Sequence, residues 1–283
     1  MSANTWRRRL AIGGAAAALL APAAARAAEE LPQWELGVGL GGLSFPVYRG
    51  SDQRRDFLLP VPYFVYRGDI LKADRRGVRG ELIDRERFEL NISASASLPV
   101  GSGDIEARRG MPDLKATIGL GPSVDFHLWE SADGRRKLSF QVPVRAAFTL
   151  ESASEFTGWQ ISPRLNLDLE HPAGFDGWRM GLLAGPIYGS KHEHEYFYSV
   201  APQFATPERP AYDAAGGYAG TQFLMSLSKR FPNYWVGGFV RYDTLKQAVF
   251  ADSPLVRRDS YLAAGFGVSW VIGVSAQRVA AED

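Results

Sequence analysis

The run His192 to Glu195, with the sequence His-Glu-His-Glu, carries the densest group of side chains that could bind a metal ion. In an extended strand, residues i and i+2 point to the same face, so the two imidazoles would lie side by side. A zinc site would need a further ligand from a neighbouring strand, and the only other histidines are His127 and His171. We interpret the run as a solvated strand start, and we expect no metal ligand and no cofactor.

His127 is the residue best placed to act as a general base, as a lipase or deacylase would require. Such an enzyme also needs a nucleophilic serine and an orienting polar group. No Gly-x-Ser-x-Gly motif accompanies any serine of the chain. Hydrogen bonding on a polar strand face explains His127 without catalysis, so we expect no catalytic residue and no enzymatic activity.

The tripeptide Arg67-Gly68-Asp69 matches a cell-attachment motif. It follows an alternating segment and precedes another, and glycine beside aspartate is typical of a tight hairpin turn. We therefore interpret it as turn chemistry.

The composition is typical of a large β-protein. The 283 residues are 46% hydrophobic and 22% charged and include no cysteine, which excludes a disordered chain and a disulfide-stabilised fold. The 30 glycines, 16 phenylalanines, 11 tyrosines and 7 tryptophans favour a turn-rich sheet. The 32 basic residues nearly balance the 31 acidic ones, so nucleic-acid binding is not expected.

Residues 1–27 have the pattern of a cleaved export signal. Arg7 to Arg9 form a basic start, Leu10 to Ala21 an apolar centre, and Ala25-Arg26-Ala27 a cleavage site. The sequence therefore predicts an exported protein in which residues 28–283 form one domain.

Hydrophobic and polar residues alternate along most of the remaining chain. From Phe88 to Leu98, for example, every even residue is apolar and every odd residue is Glu, Asn or Ser. This period of two is typical of a strand with one apolar and one polar face. A soluble β-sandwich or lipocalin-type barrel would also alternate. Many segments, however, are as long as the 9 to 11 or more residues that a tilted strand needs to cross a bilayer.

We count about twelve such segments, and an even number suits a closed antiparallel transmembrane β-barrel with both ends of the chain on one side. They are residues 34–44, 57–66, 69–82, 87–98, 114–129, 136–150, 157–170, 177–188, 192–200, 216–230, 233–248 and 259–273. Segments 69–82 and 192–200 alternate weakly, which leaves ten strands as the second possibility.

The barrel interpretation predicts where the other parts lie. Phe45 to Asp56 and Ala201 to Ala215 should be external loops, whereas Pro99 to Asp113 should face the periplasm. Five tryptophans should form interfacial belts near strand ends. They are Trp34, Trp159, Trp178, Trp235 and Trp270.

The polar faces should fill a narrow or plugged lumen, in which five charged side chains neutralise one another. These are Glu89, Asp125, Arg145, Arg164 and Asp168.

Several stretches together resemble the MipA/OmpV family of outer-membrane proteins, which is named for a member that interacts with a lytic transglycosylase. The resemblance covers most of the chain after the signal. It is carried by Tyr48–Asp52, Pro60–Asp69, Arg109–Asp113, Gly119–Pro122, Tyr196–Val200, Tyr212–Gly217 and Asp252–Val256. One difference is the C-terminus, because family barrels are expected to end on an aromatic residue, whereas Val274 to Asp283 follow Trp270 here.

The resemblance implies a single barrel in the outer membrane, surrounded by lipid and without known catalysis. It further implies a scaffold that brings a periplasmic murein hydrolase and synthase together. A narrow passive channel and a surface adhesin are the alternatives, because charges that fill a lumen can also select ions. An outer-membrane lipase is the least favoured hypothesis.

Overall fold

The computed structural model describes residues 30–67, 71–74, 77–80, 83–85 and 88–280. The expected signal, residues 1–27, lies outside the described residues. So do Gly68 and Asp69 of the Arg-Gly-Asp tripeptide, although the flanking strands pair as an antiparallel hairpin, with Arg67 opposite Lys72.

The described residues form sixteen strands and one α-helix. They are β1 (Glu30–Pro32), β2 (Trp34–Pro46), β3 (Arg54–Arg67), β4 (Leu71–Asp74), β5 (Gly77–Gly80), β6 (Ile83–Arg85), β7 (Phe88–Ser97), β8 (Thr117–Glu130), β9 (Arg136–Thr149), β10 (Phe156–Ile161), β11 (Arg164–Glu170), β12 (Trp178–Gly189), α1 (Lys191–Tyr198), β13 (Gly217–Arg230), β14 (Tyr234–Thr244), β15 (Ser260–Val274) and β16 (Arg278–Ala280).

Fourteen of these strands form one antiparallel sheet. Their order is β5-β4-β3-β2-β15-β14-β13-β12-β10-β9-β8-β7-β6, and β11 lies beside β10, pairing with β9 and β12. The all-β prediction is confirmed, and the strand count differs from the expected twelve. Segment 157–170 is divided into β10 and β11 because Pro163, between them, has no N–H to donate to a ladder.

The two faces of the sheet differ sharply in polarity. The outer face carries exposed apolar side chains, such as Leu36, Val38 and Leu40 on β2. On β15 the outward Phe266 is 65% exposed, whereas the inward Ser269 is 1% exposed. The hydrophobic effect in water would bury the apolar face and expose the polar one. The arrangement is therefore the reverse of a soluble β-sandwich.

The sheet curls around its polar face, which we call the inner face. Glu35 on β2 accepts hydrogen bonds from Arg230 on β13 at 2.9 and 3.2 Å, although β14 and β15 lie between these strands. Tyr63 on β3 likewise contacts the ring of Trp235 on β14. Trp235 thus points inward, which corrects its predicted place in an interfacial belt. At the other side, β5 lies next to β7, so the two ends of the strand order approach each other.

Long and short connections lie at opposite ends of the sheet. The turn end carries the short connections 131–135, 171–177 and 231–233. The loop end carries the long connections 47–53, 98–116, 150–155, 190–216 and 245–259.

The prediction that Pro99 to Asp113 face the periplasm, away from the other long loops, is wrong. In place of one crossing strand at 69–82, β4 and β5 pair with each other and reverse the chain. As a result β7 runs towards the loop end, and this segment lies there with the other long connections.

The predicted strand at 192–200 is also wrong, since Lys191–Tyr198 form helix α1. The reason is local: Ser190 precedes the helix and its side chain accepts a hydrogen bond from the Glu193 backbone N–H. A serine followed three residues later by a glutamate is a recognised helix start, and it overrides the weak alternation of this segment.

Two further features concern the chain outside the large sheet. After β15 the chain forms β16, which pairs with β1 beside the turn end, so the segment after Trp270 is partly a second, two-stranded sheet. Within the described ranges, no helix has the length and apolar character needed to cross a membrane.

Candidate functional site

The inner face holds a hydrogen-bonded chain of polar groups midway along the sheet. Asp125 on β8 accepts from the Ser123 hydroxyl at 2.7 Å and from the Gln141 amide at 3.0 Å. Gln141 also accepts from Arg164 Nε at 3.0 Å and so links this acid to a cation. Arg164 was predicted to be neutralised by an acid of the inner face, and its link to Asp125 runs through Gln141 and is therefore indirect. Arg145 forms no ion pair with an acid among the described residues. Its Nε donates a hydrogen bond to the Ser93 hydroxyl at 2.9 Å.

His127 lies on the inner face, as the alternation predicts. Its Nε2 is 3.4 Å from Glu89 Oε1, and Asn91 donates to the other Glu89 oxygen at 3.2 Å. Ser139 is its partner across the ladder, but no hydrogen bond joins the two side chains in the described structure. The geometry thus gives the imidazole an acidic partner but no activated nucleophile.

The long connections pack into one body, which we call the loop cap: residues 47–53, 98–116, 190–216 and 245–259. Its apolar core is buried away from the sheet's exposed outer face. At its centre the rings of Tyr198 and Phe250 stack with centroids 3.7 Å apart. Hydrogen bonds fasten separate segments, for instance from the Tyr48 hydroxyl to Leu255 O at 2.7 Å and from Ser253 Oγ to Tyr198 O at 2.7 Å.

A buried acid fastens the loop cap to the inner face. The Asp243 side chain, on β14, is 0% exposed. It accepts from Arg241 at 2.6 Å through both oxygens, from the Tyr261 hydroxyl at 2.6 Å and from Arg49 Nε at 3.2 Å. Arg49 belongs to the cap and also donates to Ala219 O at 2.8 Å. The loop cap is thus held to the sheet by one carboxylate that accepts hydrogen bonds from three side chains.

Helix α1 carries two polar side chains that are withdrawn from solvent, Glu193, which is half-buried, and His194, which is buried. Glu193 accepts from Gln160 of β10 at 3.1 Å through Oε1, and His194, 2% exposed, contacts Ala215 O through Nδ1 at 2.6 Å. Glu193 Oε2 and His194 Nε2 have no hydrogen-bond partner in the described part of the chain. A Cβ at Gly189 would collide with both of these atoms, so a larger residue there would have to displace the ends of both side chains.

Burial raises the pKa of Glu193 to about 7, against the opposing effects of Arg49 and Gln160. Between its ordinary pKa of 4.5 and about 7, the folded cap then retains a proton that the unfolded chain releases. We therefore expect the cap to lose stability as the pH rises through this window, by roughly 2 to 3 kcal/mol. Hydrogen exchange of the α1 amides, corrected for intrinsic rates, measures this change.

Two variants isolate the contribution of Glu193. Burial also lowers the pKa of His194, whose effect runs in the opposite direction because it loses stability as the pH falls. The difference between wild type and Glu193→Gln therefore reports Glu193 alone. Glu195→Gln, on the same helix and paired with Lys191, is the control. An unchanged pH dependence in Glu193→Gln would contradict this assignment.

The helix also changes the interpretation of the His-Glu-His-Glu run. Because residues i and i+2 diverge on a helix, His192 points outward, stacking on Phe156, while His194 is buried. The two imidazoles do not share a face. No group of three or more His, Cys, Asp or Glu side chains able to hold a metal was found in the ranges that the structure describes.

Sequence reasoning missed Arg49, Asp243 and Glu193, which join the loop cap to the sheet. Asp243 falls within the predicted strand 233–248, but nothing in that segment indicates its partner in the cap. Ser190 and Glu193 were the one local signal, since their spacing predicts a helix start.

A family model for "MltA-interacting protein MipA" matches residues 38–272. No curated protein matches the chain. The solved structures that match the chain include two from Pseudomonas putida. One is an outer membrane channel from Pseudomonas putida F1, with 10% identity, 86% of this chain and 97% of that chain covered, and a TM-score of 0.37.

The other structure is the Pseudomonas putida toluene transporter TodX, with 9% identity, coverage of 87% of this chain and 69% of that chain, and a TM-score of 0.28. Both TM-scores are low, so the relationship rests on the sequence match, which spans every long strand of the sheet. On that match, the chain belongs to the MipA family of MltA-interacting proteins.

Proposed function

We propose that the large sheet closes into a β-barrel in the outer membrane and that the protein is a non-enzymatic scaffold for murein-remodelling enzymes. Lipid offers no hydrogen bonds, so a spanning sheet must be closed and apolar outside. The exposed apolar outer face, the buried polar inner face and the approach of β5 to β7 support this placement.

The observation that carries the scaffold hypothesis is the loop cap. The cap has a buried apolar core and is attached to the inner face through Asp243. It therefore lies across the loop end of the sheet, where an open pore would need a passage. A barrel with one obstructed end is better suited to presenting a surface than to passing solutes. The name of the family supports a periplasmic partner, a murein hydrolase, and a synthase would be the second enzyme brought to it.

The turn end is the proposed contact surface. If the long loops are external, the turn end faces the periplasm together with β1 and β16. We expect the purified chain in nanodiscs to capture a purified lytic transglycosylase. Truncation after Ser275, which removes β16, should weaken capture about tenfold, a loss of about 1.4 kcal/mol.

The control for this truncation is Arg257→Gln/Arg258→Gln, a pair of exposed loop-cap residues at the other end. It should leave capture unchanged. A chain that captures neither hydrolase nor synthase and conducts steadily in planar bilayers would contradict the scaffold and favour a pore.

A narrow channel remains the second candidate, favoured by the inner-face cations Arg145 and Arg164. Charges of this kind select ions in pores. We expect wild type to conduct poorly, because the cap obstructs the loop end.

A further inference from the structure

Two adjoining hollows lie on the outer face between the middle of the sheet and the turn end, and together we call them the groove. Its upper part, about 470 Å³, is lined by apolar side chains of β9 and β11 to β14 together with Tyr242. Ala184 lies between Leu165 and Phe223 in the ladder, and its small side chain leaves the depression. Leu167 lines both this part and a second hollow below it, so the two adjoin at this side chain.

The lower part of the groove is polar and carries both signs of charge, with Arg135, Arg136 and His171 beside Asp133, Glu170 and Asp176. Arg135, Arg136 and Trp129 line it at the turn end. Arg136 lies opposite Leu169 in the ladder and two residues before the outward Leu138, which puts it on the outer face. Among the described residues, neither guanidinium has an ion pair or a hydrogen-bond partner, and both arginines are exposed.

The acidic groups of this hollow already have partners. Glu170 pairs with Arg179 at 2.9 Å, and Asp176 lies 3.2 Å from His171. Asp133 accepts from the Ser131 hydroxyl and from the Arg135 backbone N–H. Among the described residues neither Arg135 nor Arg136 holds one of these carboxylates in an ion pair, although the charge of Arg135 acts on the nearby Asp133, so both guanidinium groups can still meet an anion from outside the chain.

We propose that this groove binds one glycerophospholipid of the leaflet at the turn end, with an acyl chain in the apolar part and its phosphate against Arg135 and Arg136. The proposal rests on the proposed placement of the sheet in the membrane. Guanidinium groups bind phosphate oxygens in pairs, and Trp129, 52% exposed, marks the level of lipid headgroups.

The dimensions and charge of the groove favour a lipid over a second copy of the chain. From Leu165 to Leu169 a strand rises about 13 Å, at about 3.3 Å per residue, which is enough for much of an acyl chain. A second copy related by a two-fold axis along the membrane normal would bring the two arginine pairs towards each other. Like charges oppose such a contact, and the acids of each hollow already have partners within their own chain.

Native mass spectrometry of the full chain, extracted from bilayers of palmitoyl-oleoyl phosphatidylglycerol, tests the proposal. We expect one retained phospholipid per chain. Arg135→Gln/Arg136→Gln should reduce retention about tenfold, and Ala184→Leu, which fills the groove, should do the same. The matched control Arg257→Gln/Arg258→Gln should retain the lipid as wild type does.

Three results would overturn the proposal: no retained lipid in wild type, equal loss in the control pair, or preferential retention of lipopolysaccharide when both lipids are offered. Diacylglycerol, which lacks the phosphate, should be retained poorly, and equal retention of it would remove the role of the arginines. Flotation with liposomes separates the two proposals. Wild type that floats but retains no lipid contradicts the groove, whereas wild type that does not float contradicts the barrel.

Discussion

Asp243→Ala is expected to release the loop cap from the sheet and to lower the free energy of unfolding by about 3 to 5 kcal/mol. The buried carboxylate accepts from Arg49, Arg241 and Tyr261, and its removal leaves two guanidinium groups near the inner face without this acid. The cost is large because the side chains of Arg49 and Arg241, 22% and 30% exposed, are largely shielded from solvent and lose the acid that balances them. Denaturant unfolding in liposomes measures the change.

The same variant should loosen the cap specifically. Hydrogen exchange should rise in 47–53 and 245–259, and single-channel recordings should show a higher conductance than wild type. Asp259→Ala is the matched control, because its carboxylate makes only an exposed ion pair with Lys246 at 3.9 Å and a hydrogen bond from Ser260. Such a pair is worth about 0 to 1 kcal/mol. Equal effects of the two variants would contradict the proposed role of Asp243.

Phe266→Arg is expected to destabilise the protein by about 2 to 4 kcal/mol in a bilayer, because position 266 lies at the centre of β15 and points outward. An arginine there would face hydrocarbon. Urea unfolding in liposomes, followed by tryptophan fluorescence, measures the loss.

Val274→Arg supplies the control for depth. It lies on the same outward face, at the turn end of β15, where an arginine costs about 0 to 1 kcal/mol. If the outer face met water, arginine at 266 would be as well tolerated as at 274. Equal stability of the two variants would therefore contradict the membrane placement.

The sheet could be predicted from the sequence because apolar and polar residues alternate along most of its long strands. The even residues of β15, from Leu262 to Ile272, continue the period of two described for Phe88 to Leu98, and they lie on the apolar face. The direction in which each strand crosses the sheet was harder to predict. The short hairpin of β4 with β5 reverses the direction of every later strand up to segment 192–200. Because that segment forms α1 and not a strand, the strands after it run in the predicted direction again.

The loop cap could not be predicted from any local pattern. Its core residues have no period, and its contacts join distant parts of the chain, such as Tyr48 with Leu255 and Tyr198 with Arg49. Pairings of this kind depend on how the strands bring the loops together. Only the start of α1, where Ser190 caps the helix, left a readable signal.

Collision accessibility of nitroxide labels along β7 tests the central claim, that the apolar outer face lies against lipid. Labels at Ile92, Ala94 and Ala96 should be quenched by oxygen, which dissolves in lipid, and protected from a water-soluble nickel chelate. Labels at Ser93 and Ser95, on the inner face, should show lower oxygen accessibility than their neighbours. A two-residue period in the oxygen signal is the predicted result, and equal quenching of both sets by the nickel chelate would contradict the account.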